Sequence, residues 1–239
     1  MRLHRFFGNF NFLKSPLVIT DPELISQIVN VLRLQAKDDI ILCDGKYNEA
    51  ICQITGIAKD KIELKLINVQ NNQNESGKQV ILYCAILKKE NFEVVVQKAV
   101  ETGVVRIVPV LTDRTVKLNI NPERINRIIK EAAEQSGRGI LPKLENPVSL
   151  AQIGQHSGGN DLNIFFEKSR VLFMDWIIEN GELLKKTSKI GIFIGPEGGW
   201  TKEEIEIAKT NNYHIISLGN FVLRAETAAI IASYLLVNS

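Results

Sequence analysis

The residues of this chain whose types and spacing suit chemistry lie in its last fifth, in Gly195-Pro196-Glu197-Gly198-Gly199, in Leu218-Gly219-Asn220, and in Arg224-Ala225-Glu226-Thr227. Three glycines within five residues permit positive φ and let another molecule approach main-chain N–H and C=O groups, while Pro196 fixes one φ and stiffens the turn. The short Arg224-x-Glu226-Thr227 sequence beside the second turn adds charge and hydrogen-bonding capacity. Further candidates lie upstream. Lys98 and Glu101 share a helix face at i,i+3; Arg114 sits in Thr112-Asp113-Arg114-Thr115; Glu131, Gln135 and Arg138 follow one helical stripe. Taken singly, the glycine run reads most simply as an ordinary turn and each charged pair as a solvated helix face. His4, His156 and His214 are scattered, and Cys43, Cys52 and Cys84 sit in apolar segments without C-x-x-C spacing, so no metal site and no disulfide is expected.

Elements must position these residues. Ile190–Ile194 is an apolar run of strand length ending at Gly195. Thr201-Lys202-Glu203-Glu204 has the form of a capping box and opens a helix. Tyr213–Leu218 is a second strand that breaks at Gly219, and an alanine-rich helix follows Arg224. The two glycine turns are therefore expected side by side, beyond the carboxyl ends of strands, where open α/β sheets bind ligands. Upstream, Val80–Leu87, Val104–Val110 and Leu162–Phe166 read as strands, and Asn91–Thr102 and Pro122–Ser136 as helices. That alternation predicts a parallel sheet with helices on both faces. Neither a dinucleotide fingerprint nor a Walker A sequence is present.

The amino-terminal part differs. Leu24, Ile28 and Val31 keep helical spacing after a Thr20-Asp21-Pro22-Glu23 start. Beyond them Ile40–Cys43, Ala50–Ile54 and the alternating Lys61–Leu66 predict strands, with a hairpin at Asp44–Glu49. The polar stretch Gln70–Lys78 marks a linker. The expected domains are residues 1–70, a small β-barrel; 71–78, the linker; and 79–239, the α/β domain.

Composition is that of an ordinary globular protein, 45% hydrophobic and 23% charged over 239 residues. No apolar run approaches the roughly 20 residues that span a bilayer. The start, MRLHRFF, lacks the apolar core of a signal peptide, so a cytoplasmic location is expected. The net charge of +2 is uneven: residues 78–143 carry 12 Lys and Arg against 7 Asp and Glu, residues 144–239 carry 8 against 11. A basic middle with cations and aromatics interleaved at Arg2-Leu3-His4-Arg5-Phe6-Phe7 suits an RNA partner through phosphate contact and stacking, although Phe6 and Phe7 also suit a core.

IGPEGGW and LGNFVLRAETAA together resemble the cofactor-binding end of the knotted SPOUT methyltransferases, in particular the RsmE family, which methylates N3 of a uridine in small-subunit (16S) ribosomal RNA. MRLHRFF, NVLRLQAKDDI, CDG, Gln97-x-Ala99-x-Glu101-x-Gly103, Arg114 and Glu131-Ala132-x-x-Gln135-x-x-Arg138 match its other landmarks in order. Departures are Asn30 for an expected histidine, Thr115 for Ser, Asn220-Phe221 for Pro-Arg, and Ala225 for Thr. The resemblance implies a PUA-like RNA-binding barrel followed by a trefoil-knotted sheet that binds S-adenosylmethionine and works as a homodimer on ribosomal RNA within the small subunit. It implies cofactor contacts at Ile194, Gly195, Pro196, Glu197, Gly198, Gly199, Leu218, Gly219, Leu223, Arg224 and Thr227. Substrate contacts are expected at Arg2, His4, Arg5, Arg33, Lys88, Lys98 and Glu101. Because uracil N3 is protonated, Arg114, Arg138 and Arg224 are candidates for anion stabilisation and Glu101, Glu131 and Glu226 for the base, with no choice among them at this level. Ala225, Ala228, Ala229 and Ala232 give the last helix a small-residue face for a partner subunit or for packing within the chain. A methyltransferase acting on transfer RNA or a ribose hydroxyl, and a non-catalytic assembly factor, are the alternatives.

Overall fold

In the computed structural model, which describes residues 3–13, 16–88, 90–115 and 120–239, the chain divides into two units. The first comprises residues 1–75 and 133–141, the second residues 76–132 and 142–239. Segment 133–141 thus belongs with the amino-terminal part, which a sequence boundary at residues 71–78 does not capture.

The first unit is a curled five-stranded sheet in the order β1-β3-β4-β5-β2, formed by His4–Phe7, Asp39–Cys43, Asn48–Ile57, Ile62–Asn71 and Leu17–Ile19. β1 lies parallel to β3; the other neighbours are antiparallel. Strand alternation sends Phe6, Ile40, Leu42, Ile54, Ile62 and Leu64 inward. A short helix, α1 (Pro22–Ser26), continues as one π turn to Val31 and buries Leu24 and Ile28 against them. Its N-cap is Asp21 rather than Thr20: the Asp21 carboxylate accepts from the N–H groups of Glu23 and Leu24 at 2.9 and 3.3 Å. The hairpin forms as expected, with Asp44 Oδ1 accepting from Lys46 N and Asn48 N, and with Gly45 and Tyr47 both at positive φ. Glu75 holds segment 133–141 in this unit, accepting from Arg138 Nε at 2.9 Å and from the N–H groups of Gly139 and Ile140 at 2.7 and 3.2 Å.

The second unit is a parallel sheet in the order β12-β10-β11-β6-β7-β8, with β9 also on β7. The strands are His214–Ile216, Leu162–Phe166, Lys189–Ile194, Gln79–Ala85, Arg106–Leu111, Lys143–Leu144 and Val148–Ser149, in that order. Continuous apolar runs such as Ile190–Ile194 are what a strand buried on both faces requires. Helices α2 (Glu90–Thr102), α3 (Pro122–Ser136), α4 (Ile153–Ser157), α5 (Phe173–Lys186), α6 (Lys202–Thr210) and α7 (Ala225–Val237) connect or flank them; α3 ends in the segment that joins the first unit. After β12 at the sheet edge, α7 returns to the middle and packs on α2, β6 and β11, the return that the expected knot needs. Of the expected small-residue face, Ala225, Ala229 and Ala232 are buried in that packing, while Ala228 is half-buried. The fit is close: a Cβ on Gly103, at the end of α2, would stand 2.7 Å from a Val237 methyl. The sequence reading contained neither α5 nor the short β8, β9 and α4. Cys43, Cys52 and Cys84 are buried thiols. Among the described residues no helix is long and apolar enough to cross a membrane.

Candidate active site

Because its neighbours are parallel, the second unit aligns the carboxyl ends of β12, β10, β11 and β6, and a cavity of about 740 Å³ opens beyond them. The size suits a small-molecule site. Four connections form its wall: Lys88 after β6, Phe166–Ser169 after β10, Ile194–Trp200 after β11, and Ser217–Leu223 after β12, with the first turn of α7 closing one side. The two glycine turns face this space but are not adjacent. β10 lies between their strands, pairing Phe166 with Ile194 on one side and with Ile216 on the other.

Local chemistry explains each wall. After Ile194 the chain turns sharply, Gly199 N–H donating to Pro196 O at 2.9 Å with Gly199 at φ +71°. Gly195 is required for a different reason: a Cβ there would fall 2.9 Å from the Trp200 indole, which is buried and donates from Nε1 to Phe166 O at 3.1 Å. The turn ends in the predicted capping box, Glu204 N–H donating to Thr201 Oγ1 and Thr201 N–H to Glu204 Oε2 at 2.7 Å. Buried Glu204 also accepts from Asp113 N–H at 3.0 Å, tying the connection after β7 to the same helix start. Across from it Ser217 donates to Gly219 O at 2.8 Å, and Ser217 exchanges main-chain hydrogen bonds with Val171 and Phe173, so the β12 turn is braced against the start of α5.

The cavity holds mixed charge. Lys88, Lys168 and Arg224 line it together with Glu167, Glu197 and Glu226. Glu197 Oε1 accepts from the Lys88 N–H at 3.0 Å, and Arg224 Nη1 lies 3.9 Å from Glu226 Oε1. Beneath them Cys84 is fully buried; that burial, and secondarily the Glu197 charge, pushes its thiol up and keeps it protonated.

The expected cofactor residues all line this space except Gly198 and Thr227. Gly198 instead faces the Arg114 side chain, whose guanidinium donates to Gly198 O and, at 3.5 Å, to Gly199 O. Arg114 therefore holds the glycine turn by its carbonyls and is not among the residues that line the cavity. Gly219 has no neighbour within 4 Å of a built Cβ and does not have positive φ, so steric freedom toward a ligand, not backbone strain, is its reason for being glycine.

Of the catalytic candidates, Arg224 and Glu226 meet at the cavity. Arg138 is taken up in the first unit, where it and Glu75 form a buried ion pair; burying a guanidinium requires such a partner. Glu131 is exposed on α3, and Glu101 is held by Lys98 at 2.9 Å on the outer face of α2. Among the substrate candidates Lys88 lines the cavity. His4 and Arg33 are exposed in the first unit, Arg33 at φ +55°, and Arg2 lies outside the described residues. Arg5 is a correction. Its guanidinium is buried beside Glu49 and Cys43, with side-chain exposures of 11% for Arg5 and 6% for Glu49, so it neutralises an interior carboxylate and is not presented to phosphate. Phe6 and Phe7 are likewise core. Glu167, Lys168 and Ser169 were missed, although they directly follow the predicted strand Leu162–Phe166 and the strand-end rule could have found them.

Comparison with known proteins agrees with this geometry. An RNA methyltransferase domain family matches residues 74–237, and an RNA methyltransferase PUA domain family matches residues 21–67. The ribosomal RNA small subunit methyltransferase E of Bacillus subtilis is 30% identical, over 92% of this chain and 89% of its own. That of Rickettsia conorii is 29% identical over 97% of this chain and 94% of its own. A crystal structure of the Neisseria gonorrhoeae ribosomal RNA small subunit methyltransferase E bound to S-adenosyl methionine superposes with a TM-score of 0.88 at 26% identity, covering 99% of this chain and 98% of that one.

Proposed function

The chain belongs to the ribosomal RNA small subunit methyltransferase E family, and from that premise we propose that it transfers a methyl group from S-adenosylmethionine to N3 of a uridine in 16S ribosomal RNA, using the cavity at the carboxyl ends of β12, β10, β11 and β6. The observation that carries this reading is the cavity itself, built on two glycine turns at the switch from sheet to helix.

The lining fits the cofactor. Ile194, Leu218, Leu223 and Trp200 offer an apolar wall for adenine, and Gly195 and Gly219 leave main-chain groups open to approach. Glu167 and Glu197 supply negative charge for a ligand with a cationic sulfur and an ammonium group. S-adenosylmethionine supplies an electrophilic methyl group on that sulfur, so no metal is needed. The chain's own residues must deal with the uracil, whose N3 carries a proton and is a poor nucleophile until it leaves. Glu226 accepts that proton, and Arg224 donates to the exocyclic oxygens on which negative charge develops. Arg114 acts at one remove, fixing the carbonyls of the turn.

The first unit, with exposed His4 and Arg33, positions the RNA without chemistry, and the small subunit in the cytoplasm is the setting. The working form is a homodimer with sites shared between subunits. With Ala225, Ala229 and Ala232 packed internally, support comes from the opposite face of α7, where Ile231 and Tyr234 are exposed one turn apart.

The test is nucleoside mass mapping of small subunits incubated with the protein and S-adenosylmethionine, beside calorimetric titration of the cofactor. Formation of 3-methyluridine is expected. Methylation of a ribose or of transfer RNA would overturn the assignment of substrate, and no cofactor binding would leave an RNA-binding assembly factor.

A further inference from the structure

Three aromatic side chains line the cavity, and they differ in what they can still do. Phe166 and Trp200 are buried and tied together, the Trp200 Nε1 hydrogen bond ending on the Phe166 carbonyl. Phe221 is 87% exposed and its neighbour Val222 91% exposed, on the connection that also carries Gly219 and Leu223 into the cavity wall. A phenylalanine and a valine side by side at such exposure keep apolar area in water, and a ligand seated on them would recover that free energy. Its backbone is anchored on both sides, by the Ser217 hydrogen bond to Gly219 O before it and by α7 after it, so the ring stands on a built support.

The reaction demands a second ligand next to the cofactor. Uracil in a folded RNA presents N3 to its pairing partner, so the base must leave the stack before that atom can be reached, and an extruded base loses its stacking neighbours. An aromatic or apolar surface restores that contact, and stacking on an aromatic face tolerates any base, leaving selection to polar groups. At the rim the polar groups are present: Arg224, with its side chain 85% exposed, follows three residues after Phe221, and Lys88 and Lys168 stand on the facing connections, where phosphates flanking an extruded nucleotide would meet positive charge.

We propose that Phe221, flanked by Val222, is the stacking platform for the extruded target uracil, holding its ring over the cavity while Arg224 and Glu226 address its polar edge. This rests on the reading of the cavity as the methyltransferase site. It makes Phe221 a substrate-positioning residue, with no part in cofactor retention or subunit contact.

The experiment compares wild type, Phe221→Ala and Phe221→Trp. Phe221→Ala is expected to weaken single-turnover affinity for small-subunit RNA about 5- to 100-fold, the range for loss of one base–aromatic stack. Calorimetric affinity for S-adenosylmethionine and the mass by light scattering should stay at wild-type values, and Phe221→Trp should restore RNA affinity. Because Trp176 and Trp200 are both buried, the exposed indole of Phe221→Trp reports separately: its emission should be quenched by RNA containing the target uridine and not by the same RNA with an abasic residue there. Equal quenching by both RNAs, or unchanged RNA affinity in Phe221→Ala, overturns the proposal. Loss of cofactor affinity would assign the ring to adenine instead, and loss of the dimer would assign it to a second copy; either also overturns it. Wild type that binds RNA and cofactor but forms no 3-methyluridine would remove the parent reading, whereas active wild type with a silent Phe221→Ala removes this inference alone.

Discussion

Gly195→Ala tests whether the cavity wall is as rigid as its packing implies. The added Cβ would lie 2.9 Å from both Cε2 and Nε1 of Trp200 and 3.2 Å from Cδ1, whereas carbon atoms pack best at about 3.5–4.0 Å. The indole has little room to retreat. Its ring centroid is 4.4 Å from that of Phe165, it is buried, and its Nε1 donates at 3.1 Å to Phe166 O at the end of β10. Either the core accepts the overlap, at about 1–3 kcal/mol for overpacking, or the indole moves and leaves a buried donor and carbonyl unpaired, at about 1–3 kcal/mol. Since some of both is expected, the loss should be about 2–4 kcal/mol, which lowers Tm by roughly 5–15 °C for a chain of this size. Gly219→Ala is the control. Nothing lies within 4 Å of its Cβ and its φ is not positive, so stability should stay within about 0.5 kcal/mol of wild type while the methyl group intrudes on the cavity. Scanning calorimetry and cofactor titration of both variants separate the cases: Gly195→Ala loses stability and affinity, Gly219→Ala loses affinity alone. A wild-type Tm for Gly195→Ala would refute the argument, because it would mean that Trp200 relocates freely.

Glu226→Gln, which keeps shape and removes the proton acceptor, should lower the methylation rate about 10²- to 10⁴-fold with cofactor affinity within threefold of wild type; a rate within threefold of wild type would exclude Glu226 as the base. Arg5→Ala should destabilise the first unit by about 3–5 kcal/mol by stranding buried Glu49, without flattening the salt dependence of RNA binding, since Arg5 meets no phosphate; a slope reduced by about one contact would restore Arg5 to the RNA surface. Burial raises the Glu49 carboxyl, but hydrogen bonds from Arg5, Gln70 and Asn72 outweigh it and hold the group below its ordinary value of 4.5. Its contribution is therefore full above that value and lost as pH falls through the folded-state value, so urea midpoints should drop below about pH 4.5 in wild type and less so in Glu49→Gln. Burial also lowers His214, whose Nδ1 accepts from Trp176 Nε1 at 3.2 Å, from its ordinary 6.5. The second unit should then lose stability as pH falls from 6.5 toward the lower folded-state value, read from Trp176 emission, and His214→Gln should flatten that limb.

Much of the second unit was legible because local pattern and tertiary demand agree there. Leu162–Phe166 and Pro122–Ser136 occupy the predicted spans, and Thr201 and Glu204 form the capping box their spacing announced. Helix α5 was not legible. Its buried residues Phe173, Trp176 and Leu184 are interrupted by exposed Met174 and Ile178 and by a break in helical geometry at Asn180, which blurs a 3.6-residue period. Nor did the sequence reveal that 133–141 joins the first unit, because Glu75 and Arg138 meet across 63 residues.

At the site the division is similar. The sequence by itself determined where the chain can turn tightly and expose its backbone, since Gly199 acts through its own φ/ψ freedom and Gly219 through its lack of a side chain, and it placed Arg224 and Glu226 beside one of those turns, whereas the need for glycine at 195 comes from the Trp200 indole packed against it. Which charged residues are free to act was decided only by tertiary structure. Arg5, Arg114 and Arg138 look alike in sequence to Arg224, yet one neutralises Glu49, one clasps the carbonyls of Gly198 and Gly199, and one is held by Glu75, while Arg224 stays open at the cavity rim. A guanidinium's role is set by which acceptor the fold brings within about 3 Å, and that distance is a property of strand order and helix return, which no local spacing encodes.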